Sequence, residues 1–190
     1  MTVATSNDLV TTEQLMAMPE DGKERWLIQG ELREKEITKR NRGHSRIEFR
    51  IGHLLSEWND AQPEPRGEVL GGEAGIRLAK NPDTTVGVDV AYVPPDVAAA
   101  SPQDYPYLDG VPLLIVEVLS PSDKIEEIED KVAAYLRYGV KRVWVVQPSF
   151  RTITVHRPDA EPQLYNINQT IDSNDVMPGF KIVLRDVFGR

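Results

Sequence analysis

The sequence predicts a single α/β domain, and three observations support this fold class. The 190 residues exceed one typical domain of roughly 100–150 residues but are too few for two full domains. Residues 86–93 and 112–119 are apolar runs typical of buried strands, whereas apolar residues within 44–58 recur at helical spacing. No repeat, low-complexity tract or linker divides the chain. We therefore expect one domain over 11–190 after a flexible start at 1–10.

Local signals place the remaining elements in order. Thr11 and Gln14 have the spacing of a capping box, which predicts a short helix that ends before Pro19. A further helix is predicted from a Ser-Pro-Ser-Asp cap at 120–123 to about Tyr138. Its expected buried stripe consists of Ile125, Ile128, Val132 and Leu136. Strands are predicted over 25–29, 31–37, 73–78, 86–93, 112–119, 142–147 and 152–156, with a short final strand within 177–184.

Composition excludes several kinds of site. The chain has no cysteine, which removes disulfides, thiolate metal sites and cysteine nucleophiles. Its three histidines, His44, His53 and His156, lie far apart in the sequence, so a three-histidine metal site is not expected. No apolar run approaches the roughly 20 residues of a membrane span, and residues 1–10 do not resemble a signal peptide. The expected location is the cytoplasm.

Two acidic residues interrupt predicted core strands. Asp89 lies within 86–93, and Glu117 lies within 112–119. A lone buried carboxylate costs several kcal/mol unless a positive charge compensates it, so either acid could instead sit at a strand end or pair with arginine. Two acids on neighbouring strands favour one oxygen-rich site, which suits Mg²⁺ or Mn²⁺. An acid pair of the glycosidase type is an alternative, whereas no Ser-His-Asp or P-loop pattern is present.

A basic side chain is available on the helix that follows Glu117. At 100° per residue, Lys131 lies about 85° from the centre of the apolar stripe, at its edge beside Tyr135. From that edge a lysine can bury its stem and bring its ammonium group to the end of the sheet. The ordinary alternative is a solvated lysine on an acidic helix.

Seven segments, in this order, resemble a known family: Gly30–Leu32, Gly43–Ile47, Val88–Val90, Leu114–Ser122, Asp130–Lys131, Tyr138–Pro148 and Pro178–Phe180. They are similar to the Uma2 endonuclease family, which is abundant in cyanobacteria and belongs to the PD-(D/E)XK, or restriction-endonuclease-like, superfamily. The resemblance covers about 11 to 188. It implies a restriction-endonuclease-like mixed β-sheet flanked by helices and a Mg²⁺-dependent nuclease activity.

The resemblance also implies roles for individual residues. Asp89 matches the metal-binding aspartate of the superfamily, Glu117 matches the acid of its (D/E)XK element, and the Val118 backbone carbonyl is a possible third ligand. Leu119 stands where that element has its lysine, and Lys131 matches a lysine that the family carries on the following helix. Two further matches imply accessory roles, a metal or water ligand for Glu31 and a substrate or water contact for His44. An ordinary position at a helix N-terminus is the alternative for His44.

The distribution of charge along the chain bears on whether the protein binds nucleic acid. The net charge of −8 opposes binding to a polyanion. Between Arg33 and Arg50, however, seven basic and three acidic residues give a local charge of +4. The candidate phosphate contacts in this stretch are Lys39, Arg40, Arg42 and Arg46. The alternative is an ordinary solvated loop.

The sequence thus predicts a metal-dependent endonuclease that hydrolyses phosphodiester bonds, with DNA as the expected substrate and Mg²⁺ or Mn²⁺ as the cofactor. A homodimer would let two sites address two strands. Two alternatives stay open. The first is a catalytically inactive nuclease-like fold that binds nucleic acid or protein, which the leucine at 119 and the acidic net charge favour. The second is a hydrolase of a smaller phosphoester.

Overall fold

The computed structural model describes residues 9–37, 41–102 and 104–189. Its helices in these ranges are α1 (Thr12–Met16), α2 (Arg42–Asp60), α3 (Pro95–Ala100), α4 (Ile125–Arg137) and α5 (Leu184–Phe188). The first six strands are β1 (Lys23–Ile28), β2 (Glu31–Glu36), β3 (Glu68–Ala79), β4 (Thr84–Val93), β5 (Leu108–Asp109) and β6 (Leu114–Val118). The other strands are β7 (Arg142–Gln147), β8 (Thr152–Arg157), β9 (Ala160–Asn166), β10 (Thr170–Asp172) and β11 (Lys181–Val183).

Across the described ranges, nine strands form one mixed sheet whose main path is β2-β1-β4-β6-β7-β8-β9. Strand β3 pairs with β4 and with β5 beside this path. β6 and β7 run parallel, and so do β3 and β5, whereas the other pairs in this sheet are antiparallel. The predicted α/β domain with a mixed sheet flanked by helices is confirmed.

Each face of the sheet carries its own apolar core. On one face, α2 packs Ile47, Ile51 and Leu55 against the centre of the sheet, together with the segment that contains β10, β11 and α5. On the other face, α4 packs Val132 and Tyr135 against β1, β3, β4 and β6. Strand β6 is buried on both faces, which explains its unbroken apolar pattern.

Several local predictions are confirmed by these elements. Thr11 and Gln14 form the capping box that starts α1. The apolar spacing within 44–58 belongs to α2, which begins after the N-cap Asn41. The strands predicted over 142–147 and 152–156 are β7 and β8, which pair as an antiparallel hairpin.

Two predictions for the start of α4 are wrong. The Ser-Pro-Ser-Asp segment does not cap α4, because its N-cap is Lys124 and Asp123 instead accepts hydrogen bonds from the Ser120 N–H and the Lys35 ammonium. The side chain of Ile125 is accordingly 73% exposed rather than buried. The short final strand predicted within 177–184 is confirmed as β11, which pairs with β10 in a separate sheet before α5 begins.

The start of the chain falls mostly outside the described ranges, so the flexible segment predicted over 1–10 stays a prediction. Within the ranges that are described, no helix is both long and apolar enough to cross a membrane.

A partly buried ion pair joins β5 to β3 and gives a first prediction. Arg77 donates two hydrogen bonds to Asp109, at 3.1 and 2.9 Å, and these hold the pKa of Asp109 down at about 2. A depressed carboxyl pKa stabilises the fold above the unfolded pKa of about 3.9, and that stability is lost as the pH falls through about 2. Asp109→Asn is expected to lower the free energy of unfolding at pH 7 by about 2 kcal/mol. The variant should also lose the part of the acid dependence between about pH 4 and 2 that Asp109 contributes.

Denaturant unfolding at several pH values measures this effect. Lys80→Ala is the control, because Lys80 also contacts Asp109 but is 52% exposed. Its cost should stay within the roughly 0–1 kcal/mol of a surface ion pair. Equal stability of Asp109→Asn and wild type at pH 7 would contradict the assignment.

Candidate active site

The sheet forks along one edge of β4. Strand β3 occupies the other edge from Thr84 to Val93. On the forked edge, β1 pairs only at Thr85, and β6 pairs only from Val90 to Tyr92. Residues 86–89 of β4 therefore face a gap between β1 and β6. Backbone groups along such a gap need partners from outside the ladder.

Asp89 supplies one of those partners. Its Oδ2 accepts a hydrogen bond of 2.6 Å from the Val118 N–H, just beyond the last paired residues Val90 and Val116. A side-chain carboxylate thus replaces a strand carbonyl where β4 and β6 separate. This bond satisfies part of a carboxylate that is only 2% exposed.

A bulge in β3 turns β4 at the same point. Gly72 and Glu73 both have positive φ and stand opposite the single residue Asp89. Val88 then packs on the α4 side of the sheet and Val90 on the α2 side, although regular alternation would place both on one side. Asp89 lies at this change of face, which lets it contact groups from both sides.

On the α2 side, Asp89 meets a histidine and a second carboxylate. The Nε2 of His44 lies 3.4 Å from Asp89 Oδ1, and its Nδ1 lies 3.5 Å from Glu48 Oε2. Glu48 Oε1 also accepts the N–H of Gly72, at 2.9 Å, which ties α2 to the bulge. Ligand atoms of the three side chains all lie within 4.8 Å of one another, close enough to hold one metal ion.

On the α4 side, Glu117 forms a second buried group. The Tyr135 hydroxyl donates to Glu117 Oε1 at 2.5 Å, and Lys131 Nζ lies 3.5 Å from the same oxygen. Burial raises the pKa of Glu117. The positive charge of Lys131 opposes this rise, whereas the negative charge of Asp89 adds to it. Burial and the Glu117 charge also raise the pKa of Tyr135, so Tyr135 remains a neutral donor.

Lys131 is itself buried, with 4% of its surface exposed. Its ammonium lies 3.4 Å from the Gly87 carbonyl oxygen and 5.5 Å from the centre of the Trp26 ring. A carboxylate, a carbonyl and a ring face together surround this charge, which offsets much of the cost of burial. The predicted burial of the lysine stem at the edge of the helix is what the structure shows.

The structure brings together four predicted site residues but not Glu31. Asp89, Glu117, Lys131 and His44 all border the fork, and Val118 contributes its backbone. Glu31 is exposed, pairs with Arg33 at 2.9 Å, and stands opposite Ile28 at the Thr84 end of β4. A site role for Glu31 therefore has no geometric support.

The predicted phosphate contacts divide into three cases. Lys39 and Arg40 lie outside the described residues. Arg42 is exposed on the first turn of α2. Arg46 donates to the Phe188 carbonyl oxygen at 2.7 Å, so its guanidinium joins α2 to the C-terminal helix.

Sequence reasoning assigned no role to Glu48 or Tyr135. Each follows a recognised residue by one helical turn, Glu48 after His44 and Tyr135 after Lys131, so helical spacing could have indicated both. Trp26 comes from a distant strand, and no local pattern connects it to Lys131.

A mixed sheet with helices on both faces is the architecture expected of a restriction-endonuclease-like fold. The chain belongs to the Uma2 family, whose sequence model, described as "Putative restriction endonuclease", matches residues 12–185. The crystal structure of a protein from Anabaena variabilis, described as "a putative nuclease belonging to DUF820", has the same fold. It matches with a TM-score of 0.78 at 16% identity over 94% of this chain and 97% of the other. No curated protein sequence matches significantly.

Proposed function

We propose that this protein is a metal-dependent endonuclease that hydrolyses phosphodiester bonds in DNA. The observation that carries the proposal is the position of Asp89 at the fork of the sheet. One of its oxygens binds the Val118 N–H, the other faces His44, and Glu117 with Lys131 lies at the same fork. Membership of the Uma2 family and the nuclease-like fold support this function.

The residues at the fork fit a divalent metal ion. Asp89, Glu48 and His44 offer two carboxylates and an imidazole, and we expect this mixed set to prefer Mn²⁺ over Mg²⁺. The Val118 carbonyl is a further proposed ligand, because the N–H and C=O of a strand residue point to the same side. A bound ion supplies positive charge at the phosphate and lowers the pKa of the attacking water.

The surrounding residues of this chain have separate proposed roles. Lys131 supplies positive charge to the phosphate oxygens as negative charge develops on them. Glu117, which accepts a hydrogen bond from Tyr135, positions that ammonium and lies near Asp89 as a further proposed ligand. His44 is completely buried, which favours holding Asp89 and the ion over direct contact with substrate.

Incubation of the purified protein with supercoiled, linear and single-stranded DNA, and with RNA of the same sequence, tests this function. Each substrate is tested with Mg²⁺, with Mn²⁺ and with EDTA. We expect internal cleavage of DNA that requires the metal. Binding without cleavage would instead support a binding module, and hydrolysis restricted to a small diester such as bis-p-nitrophenyl phosphate would support the small-phosphoester alternative.

Metal binding predicts a thermal shift that depends on Glu48. At 100 times its dissociation constant, Mn²⁺ bound only to the folded state stabilises it by about 2.7 kcal/mol, or roughly 5–10 °C in Tm. Glu48→Gln removes one charged ligand and should abolish most of this shift. Glu57→Gln, an exposed acid on the same helix, should retain it. A wild type whose melting does not respond to Mn²⁺ or Mg²⁺ would contradict the metal site.

The basic segment before and within α2 predicts a salt effect. Replacing Lys39, Arg40 and Arg42 by alanine should reduce the slope of log affinity against log salt by roughly two to three units, at about 0.9 per phosphate contact. Duplex binding is measured in EDTA so that no cleavage occurs. Alanine at the exposed residues Arg137, Lys141 and Arg151 is the control. An unchanged slope in the first variant would assign its three residues to a solvated loop.

A further inference from the structure

Helix α2 presents an aromatic pair to solvent on the face beside the candidate site. Phe49 is 76% exposed, and its ring lies parallel to His53 with centroids 6.3 Å apart and 3° between the planes. At 100° per residue, Arg42, Phe49 and His53 fall within about 40° of one another. We call these three residues the outer stripe. The helix thus carries His44 and Glu48 toward the sheet and an aromatic, basic stripe toward solvent.

A groove runs between this stripe and the bulged part of β3. It encloses about 550 Å³, within the roughly 300–1,000 Å³ of small-ligand sites. From α2 it is lined by Phe49, His53, Gly52 and Glu48, and from the sheet by Gly71, Gly72 and Val90. Glu48 belongs to the proposed ligand group, and Val90 adjoins Asp89. The groove therefore leads directly to the candidate active site.

Gly52 leaves the floor of this groove open. A glycine inside a helix is less favourable for stability than an alanine. A Cβ at Gly52 would meet no protein atom within 4 Å, so packing gives no reason for glycine here. A glycine at this position therefore leaves more space in the groove for a bound molecule than any other residue would.

We infer that the outer stripe and its groove bind an unstacked nucleobase of the strand whose phosphate reaches Asp89. The inference rests on the proposed function and names its substrate class, which is single-stranded DNA or a nucleotide turned out of a duplex. An exposed ring face stacks on any base, and a nearby arginine contacts the backbone, as in other sites for single strands. A base held in the groove places the adjoining phosphate beside Glu48 and Asp89.

Binding and crosslinking in EDTA test this inference without relying on cleavage. The full chain is titrated with a fluorescent single-stranded oligonucleotide, and a 5-iodouracil version is crosslinked by ultraviolet light and mapped by mass spectrometry. We expect crosslinks in the peptide that contains Phe49 and His53. Phe49→Leu should weaken binding by about tenfold through lost stacking, and Phe49→Trp should restore it. The matched control is Phe150→Leu, because Phe150 is 72% exposed in the turn between β7 and β8.

Gly52→Leu provides an independent variant that fills the groove. Its side chain enters open space, so thermal stability should match or exceed that of wild type, whereas single-strand binding should weaken about as much as in Phe49→Leu. Wild-type affinity in both variants would overturn the inference. A wild-type dimer that Phe49→Leu dissociates without a change in DNA affinity would also overturn it.

Failure of the groove inference and failure of the proposed nuclease function give different experimental results. If Phe49→Leu loses single-strand binding and wild type does not cleave DNA, the nucleobase site in the groove is supported and the proposed nuclease function is contradicted. If Phe49→Leu cleaves single strands with an unchanged KM, the nucleobase site in the groove is contradicted and the proposed nuclease function still stands.

Discussion

Asp89→Asn is expected to lower the turnover of DNA cleavage by at least about 10³-fold while leaving the metal-free fold as stable as wild type or more stable. Asparagine has the same shape and can still accept the Val118 N–H, which Asp89 binds at 2.6 Å. It removes a buried negative charge that lies near Glu117, which relieves both desolvation and repulsion. It also removes the central member of the proposed ligand group.

Single-turnover cleavage rates with Mn²⁺ and thermal melts in EDTA measure the two halves of this prediction. Asp83→Asn is the matched control, because Asp83 is a buried acid six residues before Asp89 that accepts hydrogen bonds from the Thr12 N–H and hydroxyl. Asp83→Asn should lose stability, at the roughly 1–3 kcal/mol scale of a disturbed buried hydrogen bond, and keep its cleavage rate. Cleavage by Asp89→Asn within a few fold of wild type would remove Asp89 from the mechanism.

Lys131→Met should reduce turnover by about 10²–10³-fold, the scale for the loss of one preorganised charge. Methionine keeps the apolar stem that packs near Trp26 and removes only the ammonium that lies 3.5 Å from Glu117 Oε1. Mn²⁺ binding and DNA affinity should change little, because Asp89, Glu48 and His44 remain. The free energy of unfolding should fall modestly, since Glu117 then stays buried without its positive partner.

Lys124→Met is the matched control for this variant. Lys124 is the N-cap of α4, 72% exposed, and pairs with Glu127 at 3.0 Å. From sequence alone, Lys124 and Lys131 share one edge of the helix because seven residues nearly complete two turns. The structure separates them, since only Lys131 reaches the fork. Normal cleavage by Lys131→Met, or an equal loss in both variants, would contradict the assignment.

The fold was predictable where burial follows a strong period. Strands β4 and β6 and helix α2 carry continuous or regularly spaced apolar residues, and the structure confirms each. The start of α4 was not predictable. Asp123 is a residue type that often caps helices, but its carboxylate instead accepts hydrogen bonds from the Ser120 N–H and the Lys35 ammonium. Strand β9 is exposed along nearly its whole length and pairs through its backbone, so it has no apolar pattern to detect.

The candidate site was predictable where a residue type is unusual for its position in a strand or helix. Asp89 and Glu117 stand out as acids within apolar strands, and helical spacing brings Lys131 to the edge of its stripe. The fork itself depends on β1 and β6 sharing one edge of β4, which no local pattern encodes. Glu31 was matched by the resemblance alone, and the structure places it on β2, near the Thr84 end of β4 and away from Asp89.

The most direct test compares wild type and Asp89→Asn, purified side by side, on supercoiled DNA. The conversion of supercoiled DNA to nicked and linear forms is followed with Mn²⁺, with EDTA, and after excess Mn²⁺ is restored. We expect products from wild type alone, only while the metal is present, and again when the metal is restored. Equal cleavage in EDTA, equal cleavage by Asp89→Asn, or no cleavage by metal-loaded wild type would contradict a metal-dependent nuclease centred on Asp89.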